Sequence, residues 1–235
     1  MAQEDNNMDP RELPFKPISA RQFLDLFPLS MSEEEKEELA AEMEQNAKDL
    51  QTVSEDEKRF REILESVGRE GTESFIHYLR VNGFFTAPGS VVHHSNWKGG
   101  LVNHSLKVYD WAMKFREEMI QSDPSLADEL KEESVAVAAL LHDICKADEY
   151  KIKADGTPAH KEASAHLGGH GYKSVILIIF HGFKLTGDEI LAIRWHMGAG
   201  RIKDPKEKAE CEKAKKESAL VRLIIKADHE AATHK

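Results

Sequence analysis

The feature that most constrains the fold is 134-SVAVAALLHDICK-146, an apolar segment that ends in His142 and Asp143. Its apolar residues cover nearly every side of a helix, which is typical of a helix enclosed by other helices. Burying an imidazole and a carboxylate is costly unless another group compensates them. Neighbouring helical residues point about 100° apart, so these two side chains do not easily bond each other. The segment therefore predicts a central helix that ends at a metal ion or, less readily, at a buried polar network.

Helical spacing of apolar residues dominates the rest of the chain, and clear strand alternation is nearly absent. Further helices are predicted at about 101–119, from Asp123-Pro124 onward, at 169–180, at 188–196 with Thr186 and Glu189 as caps, and at 217–232. Loops are predicted at 83–100, 151–160 and 200–215. The fold class is all-α.

Three regions are predicted along the chain. Residues 1–17 are polar, acidic and interrupted by proline, which indicates a flexible lead-in. Residues 18–82 form an acidic helical region with capping boxes at Ser32/Glu35 and Ser54/Glu57. Residues 83–235 contain all but one of the histidines and form the third region.

Composition limits the class of partner and the compartment. The net charge of −10 on 235 residues does not indicate nucleic-acid binding through the overall field, although a local basic patch stays possible. No apolar run approaches the roughly 18 residues of a membrane helix, and the N-terminus resembles neither a signal nor a transit peptide. The two cysteines are far apart in sequence, which favours reduced thiols and a cytoplasmic protein.

Histidine is the unusual residue: the chain has 12, and most lie between residues 93 and 196. A single histidine on an apolar helix is usually a hydrogen-bonded core residue, so only the pattern carries weight. Separate apolar helices each bring a polar group that they do not otherwise need. The candidate ligands are His104, His142, Asp143, His170, His196 and Asp228. His166 is a rival for the position of His170.

The ordered series resembles the HD-domain superfamily of metal-dependent phosphohydrolases. The segment 99-GGLVNHSLKV looks like the one that carries the first histidine of the family, 140-LLHDICK like its HD motif, and 226-KADH like its closing aspartate. Within the superfamily, the local sequence 93-HHSNWKGGLVNHSL is most similar to that of the HD domain of bacterial exoribonucleases. Those proteins carry an OB domain ahead of the HD domain, whereas the first 82 residues here indicate acidic helices. Cys145 stands where many members have glycine, and it is interpreted as a packing variation rather than as a nucleophile.

The resemblance implies that residues 83–235 are the metal-binding catalytic domain, an all-α HD bundle. It also implies two divalent metal ions, because His170 and His196 match the additional ligands of the dinuclear branch. Asp143 would bridge the ions, with His104, His142 and Asp228 on one ion and His170 and His196 on the other. Such a pair of ions activates a bridging hydroxide that attacks a phosphoester. Nitrogen and oxygen ligands suit Mn, Fe, Co, Ni or Zn.

The predicted substrate is a nucleotide or another phosphomonoester or phosphodiester. Lys146 is predicted to neutralise charge on the phosphate beside Asp143. Weaker candidates for substrate contact are His94, Lys98, Arg194 and Arg201, each of which is otherwise a surface residue. His181 is a candidate for supporting the site, while His77, His160, His229 and His234 are assigned to surface or core.

Two other functions fit parts of the pattern. Some oxygenases with the HD fold use the same six ligands to hold two iron ions and activate oxygen. A non-catalytic module that senses nucleotides or binds a partner through its acidic helices is the third hypothesis. The complete ligand series argues against the non-catalytic module, which has no reason to keep all six residues, and the hydrolase is the leading hypothesis.

Overall fold

A computed structural model describes residues 32–34, 36–37, 54–92, 95–161 and 169–233. Contacts between Cα atoms divide the chain into two compact units, Met1–Val53 and Ser54–Lys235. In the first unit, residues 33, 34, 36 and 37 are helical. The predicted lead-in at 1–17, as well as Glu35, His93, His94, His166 and His234, lies outside the described residues.

The second unit is built mainly of helices. Their bounds are α1 Glu55–Ser66, α2 Thr72–Val81, α3 Gly100–Ser122, α4 Glu132–Leu141, the short α5 Lys146–Glu149, α6 His170–Phe180, α7 Gly187–Trp195, α8 Pro205–Glu217 and α9 Ala219–Thr233. Short 3₁₀ turns lie at Pro124–Ala127 and Ala199–Arg201. The described strands, β1 Tyr150–Ile152 and β2 Pro158–His160, form one antiparallel hairpin. The all-α class is confirmed.

Helix α4 lies at the centre of this unit, as its apolar sequence predicts. Every residue from Val135 to Leu141 is buried. The helix packs against α3, α7 and α9, and α9 also contacts α3 and α7. The polar residues that follow Leu141 are therefore delivered to the junction of four helices.

Helices α1 and α2 share the core of the later helices. Phe60 of α1 contacts Phe84 with ring centroids 5.1 Å apart, and Phe75 of α2 contacts Phe183 at 5.0 Å. Ser54 caps α1, where its hydroxyl accepts a hydrogen bond from the Glu57 amide at 3.0 Å. The domain boundary at residue 83 stays a prediction.

The loop between α2 and α3 is held close to the start of α3. Gly100 begins this helix, and a Cβ atom at this position would lie 2.0 Å from the Ser95 carbonyl oxygen. Only glycine allows so close an approach of the two backbones. The contact fixes the start of the helix that carries His104.

Two predicted loops are wrong. The segment 151–160 contains most of the hairpin, whose strands of three residues are too short to show alternation. Most of the segment 200–215 belongs to α8, in which only Cys211 and Ala214 are buried. A helix that buries so little has almost no apolar stripe to detect. Its start was visible in the sequence, because Asp204 caps the helix and Pro205 occupies the first turn.

Candidate metal centre

The backbone tightens where α4 ends at Leu141. The amides of Ile144, Lys146, Ala147 and Asp148 each bond the carbonyl three residues earlier, at 3.0 to 3.5 Å. Side chains three residues apart lie on the same side of such a turn. Lys146 Nζ therefore meets Asp143 Oδ2 at 2.6 Å. Adjacent side chains diverge by about 100° or more in either kind of helix, so His142 and Asp143 reach the same site because α4 ends just before them.

Three further helices bring polar side chains to this turn. His104 comes from the second turn of α3, His196 follows the last residue of α7, and Asp228 lies on α9. His104 Nε2 lies 3.1 Å from Asp228 Oδ1 and 3.3 Å from His142 Nε2. We name these residues the five-residue cluster: His104, His142, Asp143, His196 and Asp228.

The ring orientation of two histidines is fixed by backbone carbonyl groups. His142 Nδ1 donates to the Ala139 oxygen at 2.8 Å, and His196 Nδ1 donates to the Ile193 oxygen at 2.7 Å. A carbonyl oxygen only accepts, so Nδ1 carries the proton in each neutral ring and Nε2 carries a lone pair. His142 Nε2 lies 3.2 Å from Asp143 Oδ2, and His196 Nε2 lies 3.4 Å from Asp143 Oδ1. A lone pair that faces a carboxylate is unfavourable unless a proton or a metal ion lies between them.

The charges of the cluster support this interpretation. Burial by itself raises the pKa of Asp143, but the nearby Lys146 ammonium group and His142 outweigh burial and hold that pKa well below its usual range. Burial lowers the pKa of His196, but Asp143 outweighs it and the net shift is upward. The pKa of Asp228 is lowered against the effect of burial, first by the hydrogen bond from His104. The two carboxylates thus stay ionised and attract positive charge.

The donor atoms fit a metal ion. His104, His142 and Asp143 form one group whose ligand atoms lie within 4.8 Å of one another, and His142, His196 and Asp228 form another. Asp143 Oδ1 is buried and accepts no hydrogen bond from any described residue. Such an unsatisfied oxygen beside imidazole lone pairs is explained if it is a ligand. Nitrogen and oxygen ligands of this kind suit a divalent transition metal.

His170 does not join the five-residue cluster. Its Nδ1 atom lies 3.5 Å from Cys145 Sγ and 3.4 Å from Glu149 Oε2. His170 is the first residue of α6, and Ser174, one turn later, accepts a hydrogen bond from the Cys145 amide at 3.3 Å. This contact holds α6 against the turn, so that His170 lies beside Cys145 and Glu149. The ring of His170 faces Cys145 and Glu149. That His170 and His196 bind the same ion stays a prediction.

Buried Lys173 lies next to these residues. Its Nζ atom is 2.5 Å from Asp148 Oδ2 and 3.3 Å from Glu149 Oε1. Burial lowers the pKa of Lys173, but the two carboxylates outweigh burial and raise it. The lysine stays charged and fixes the end of the turn against α6.

Among the side chains proposed for substrate contact, those of Lys98, Lys146 and Arg194 belong to the described part of the chain. Lys146 lies inside the site. Arg194 pairs with Glu210 of α8 at 3.2 Å and covers the ring of Trp195. Lys98 is exposed in the loop before α3. Arg201 ends a 3₁₀ turn; its side chain lies outside the described set, as does all of His94.

His181 does not support the site in the way the sequence suggested. It follows the last residue of α6, at the opposite end from His170, and its ring stacks on Tyr78 with centroids 3.4 Å apart. Burial lowers its pKa. His77, His160 and His229 are exposed.

The profile of the HD domain family matches residues 101–233, more than half of the chain. The chain belongs to the HD domain family. The matched range contains all five residues of the cluster, and the all-α architecture is that of this family. HD domains are generally associated with metal-dependent hydrolysis, and the grouped histidines and aspartates provide candidate ligands. No curated protein and no solved structure matches the chain. The similarity to the HD domain of exoribonucleases stays a prediction.

Sequence reasoning missed one group near the HD motif. Cys145 was interpreted as packing, and Glu149 was not considered, yet both face His170. Cys145 and Glu149 are four residues apart, and residues at this spacing share a helix face. The spacing could have indicated that the two side chains lie together. Among the described residues, no helix is both long and apolar enough to cross a membrane.

Proposed function

We propose that this HD domain is a metal-dependent phosphohydrolase that cleaves a nucleotide or another phosphomonoester or phosphodiester at the five-residue cluster. The observation that carries the proposal is the orientation of His142 and His196, whose Nδ1 atoms are bonded to carbonyl groups while their Nε2 atoms face buried Asp143. This arrangement presents lone pairs and negative charge at one point. Such an arrangement is suited to binding a divalent cation and would be unfavourable in a purely apolar core.

The five residues would hold the ion, and Asp143 is placed to contribute both carboxylate oxygens. Its Oδ2 atom faces His142 and His104, while its Oδ1 atom faces His196. A bound divalent ion supplies activation of water near neutral pH and compensation of charge on the phosphoryl oxygens. The bridging role of Asp143 and the number of ions are parts of this proposal.

Lys146 gives the site a cation of its own. Its ammonium group is held by Asp143, and the opposing carboxylates keep its pKa above the ordinary value even though burial lowers it. A fixed positive charge beside the ligands can bind a non-bridging phosphate oxygen and stabilise the charge that develops there. In a chain with a net charge of −10, such a local cation adds to the attraction that a bound metal ion exerts on a phosphate.

The five-residue cluster and Lys146 are most open to solvent at Asp228 and Lys146. The side chains of His104, His142, Asp143 and His196 are at most 3% exposed, whereas those of Asp228 and Lys146 are 19% and 15% exposed. A substrate phosphate that approaches past Asp228 therefore meets Lys146 before it reaches the deeper histidines. The residues that contact the rest of the substrate remain proposals, with His94, Lys98, Arg194 and Arg201 as the candidates from sequence.

The test is metal analysis of the purified protein, followed by assays on phosphomonoesters, cyclic and linear phosphodiesters, and nucleotides. We expect divalent transition metal in the protein and hydrolysis that is lost on chelation and restored by adding metal. Two iron ions with oxygen uptake on a polyol or phosphonate, together with inactivity on phosphoesters, would identify an oxygenase instead. Nucleotide binding without turnover at any metal loading would identify a sensing module.

A further inference from the structure

We propose that Cys145, Glu149 and His170 form a second cation site, separate from the five-residue cluster, that prefers a thiophilic divalent ion such as Zn²⁺. We name these residues the Cys145 group. Their ligand atoms Sγ, carboxylate oxygen and Nδ1 lie within 4.8 Å of one another. The site does not depend on the proposed phosphohydrolase activity, because it is defined by its own side chains.

The two distances from His170 to the other members of the Cys145 group match a tetrahedral ion. His170 Nδ1 lies 3.5 Å from Cys145 Sγ and 3.4 Å from Glu149 Oε2. Zinc binds sulfur at about 2.3 Å and nitrogen or oxygen at about 2.0 to 2.2 Å, so its tetrahedral ligands lie roughly 3.3 to 3.7 Å apart. Both separations from His170 fall in this range, and Cys145 Sγ and the Glu149 carboxylate oxygen lie within 4.8 Å of each other.

Backbone contacts set the position of the group. The Cys145 amide donates to Ser174 Oγ, which joins the turn to α6. Next to His170, Gly171 packs so closely on α7 that a Cβ atom would lie 2.3 Å from the Arg194 carbonyl oxygen. His170 therefore cannot move away from the turn without separating two packed helices. Cys145 and His170, held in this way, lose little conformational freedom when an ion binds.

The charges around the group favour a cation. Asp148 and Glu149 carry two negative charges, and Lys173, which contacts both, carries one positive charge. The pair Lys173–Asp148 at 2.5 Å leaves Glu149 only a longer contact of 3.3 Å, and its second oxygen faces His170. When a divalent ion binds, the Cys145 thiol releases its proton to solvent and the thiolate forms the bond to the ion. The resulting set of two positive and two negative charges, from the ion, Glu149 and the thiolate, is neutral.

Sulfur separates the chemistry of this site from that of the five-residue cluster. A thiolate favours zinc over manganese or magnesium, whereas imidazole and carboxylate alone also accept harder ions. Cys145 is fully buried, but the side chains of His170 and Glu149 are 32% and 20% exposed. The fourth position of a tetrahedral ion would thus face solvent and hold a water molecule or an anion. The protein would carry ions of two chemical types on the two sides of one turn.

The test is titration of the metal-free, full-length protein with Co²⁺ and, separately, with Zn²⁺. Cobalt bound to a thiolate gives a charge-transfer absorption in the near ultraviolet that nitrogen and oxygen ligands do not give. We expect this absorption in the parent protein and in Asp143→Asn, in which only the five-residue cluster is altered. Cys145→Ser should lose the absorption and one equivalent of bound zinc. Cys211→Ser is the matched control, because Cys211 is also a buried thiol but lies on α8, and it should keep both.

Glu149→Gln provides a second measurement that does not depend on replacing a fully buried residue. The variant keeps the thiol, so the charge-transfer absorption should remain. Its affinity for zinc should fall about tenfold or more, because even the loss of a residue that only hydrogen-bonds a metal ligand has an effect of that size. Circular dichroism checks that each variant is folded. Cobalt-loaded parent protein without the charge-transfer absorption would overturn the proposal. Retention of the absorption in Cys145→Ser, or unchanged zinc affinity in Glu149→Gln, would also overturn it.

Discussion

Asp143 and Lys146 form an ion pair of 2.6 Å inside a site that otherwise gathers histidine nitrogens and a second carboxylate. Both partners are largely buried, with side chains 3% and 15% exposed. A buried carboxylate without compensation is strongly unfavourable. The lysine and a metal ion therefore provide two sources of positive charge for the same oxygen atoms.

Lys146→Met is expected to destabilise the metal-free protein by about 3 kcal/mol, because it leaves the Asp143 carboxylate buried without its partner. The substitution should destabilise the metal-loaded protein less, because the bound ion then compensates the charge of the Asp143 carboxylate. The difference in Tm between chelator-treated and manganese-loaded samples should therefore widen. Thermal unfolding measures both values, with Lys58→Met on the exposed side of α1 as control. An unchanged difference in Tm would show that Lys146 does not compensate Asp143.

Asp143→Asn is expected to remove metal from the five-residue cluster and to reduce phosphoester hydrolysis to background. The amide keeps the shape of the side chain but offers a single, uncharged oxygen donor. Metal analysis and the hydrolysis assay measure the loss, while circular dichroism should show that the helices remain. Asp128→Asn is the control, because Asp128 is an exposed carboxylate before α4. Full metal content in Asp143→Asn would contradict the assignment of this residue as a ligand.

Glu189→Gln is expected to reduce the free energy of unfolding by about 3 kcal/mol, because Glu189 is fully buried and pairs with Arg69 at 2.5 Å. Burial raises the pKa of Glu189, but Arg69 and the Thr186 amide outweigh burial and lower it below its ordinary value of 4.5. The ionised pair thus contributes stability above pH 4.5 that is lost as the pH falls through the lower, folded pKa.

Urea unfolding across this pH range measures the effect, and the variant should lack this part of the acid destabilisation. Glu70→Gln is a matched control, since Glu70 and Lys184 form an ion pair whose side chains are 86% and 78% exposed. Exposed pairs contribute little to stability. Equal effects of the two substitutions would show that burial does not determine the strength of these pairs.

Gly171→Ala is expected to destabilise the protein by about 1–3 kcal/mol, the usual cost of overpacking. The added methyl group would lie 2.3 Å from the Arg194 oxygen and force α6 away from α7. Gly169→Ala is the control two residues earlier, where a Cβ atom meets no heavy atom within 4 Å. Chemical denaturation of both variants gives the comparison, and equal stabilities would contradict the close packing of these helices.

Much of the centre could be predicted because each polar residue interrupts an apolar helix. The runs before His142, His196 and Asp228 predict helices in the core, and a polar group at the end of a buried helix requires a partner. The order of these residues then matched a known family. The central position of α4 followed from the same apolar pattern.

The environment of His170 could not be predicted in the same way. Its side chain lies at the start of α6, and which way such a residue faces depends on how closely that helix packs against its neighbours. Here Gly171 and Ser174 decide the packing through contacts with residues distant in sequence. Helix α8 was not predicted for a different reason: it buries too few side chains to give its sequence an apolar pattern.

The turn after α4 repeats about every three residues. Which side chains face each other therefore depends on the number of residues between them rather than on the identity of those residues. Ile144 and Ala147 face the core and can be exchanged for other apolar residues of similar volume. One residue inserted between Asp143 and Lys146 would rotate everything after it by about a third of a turn. Lys146 would leave Asp143, and Glu149 would leave His170, although every ligand would still be present in the chain.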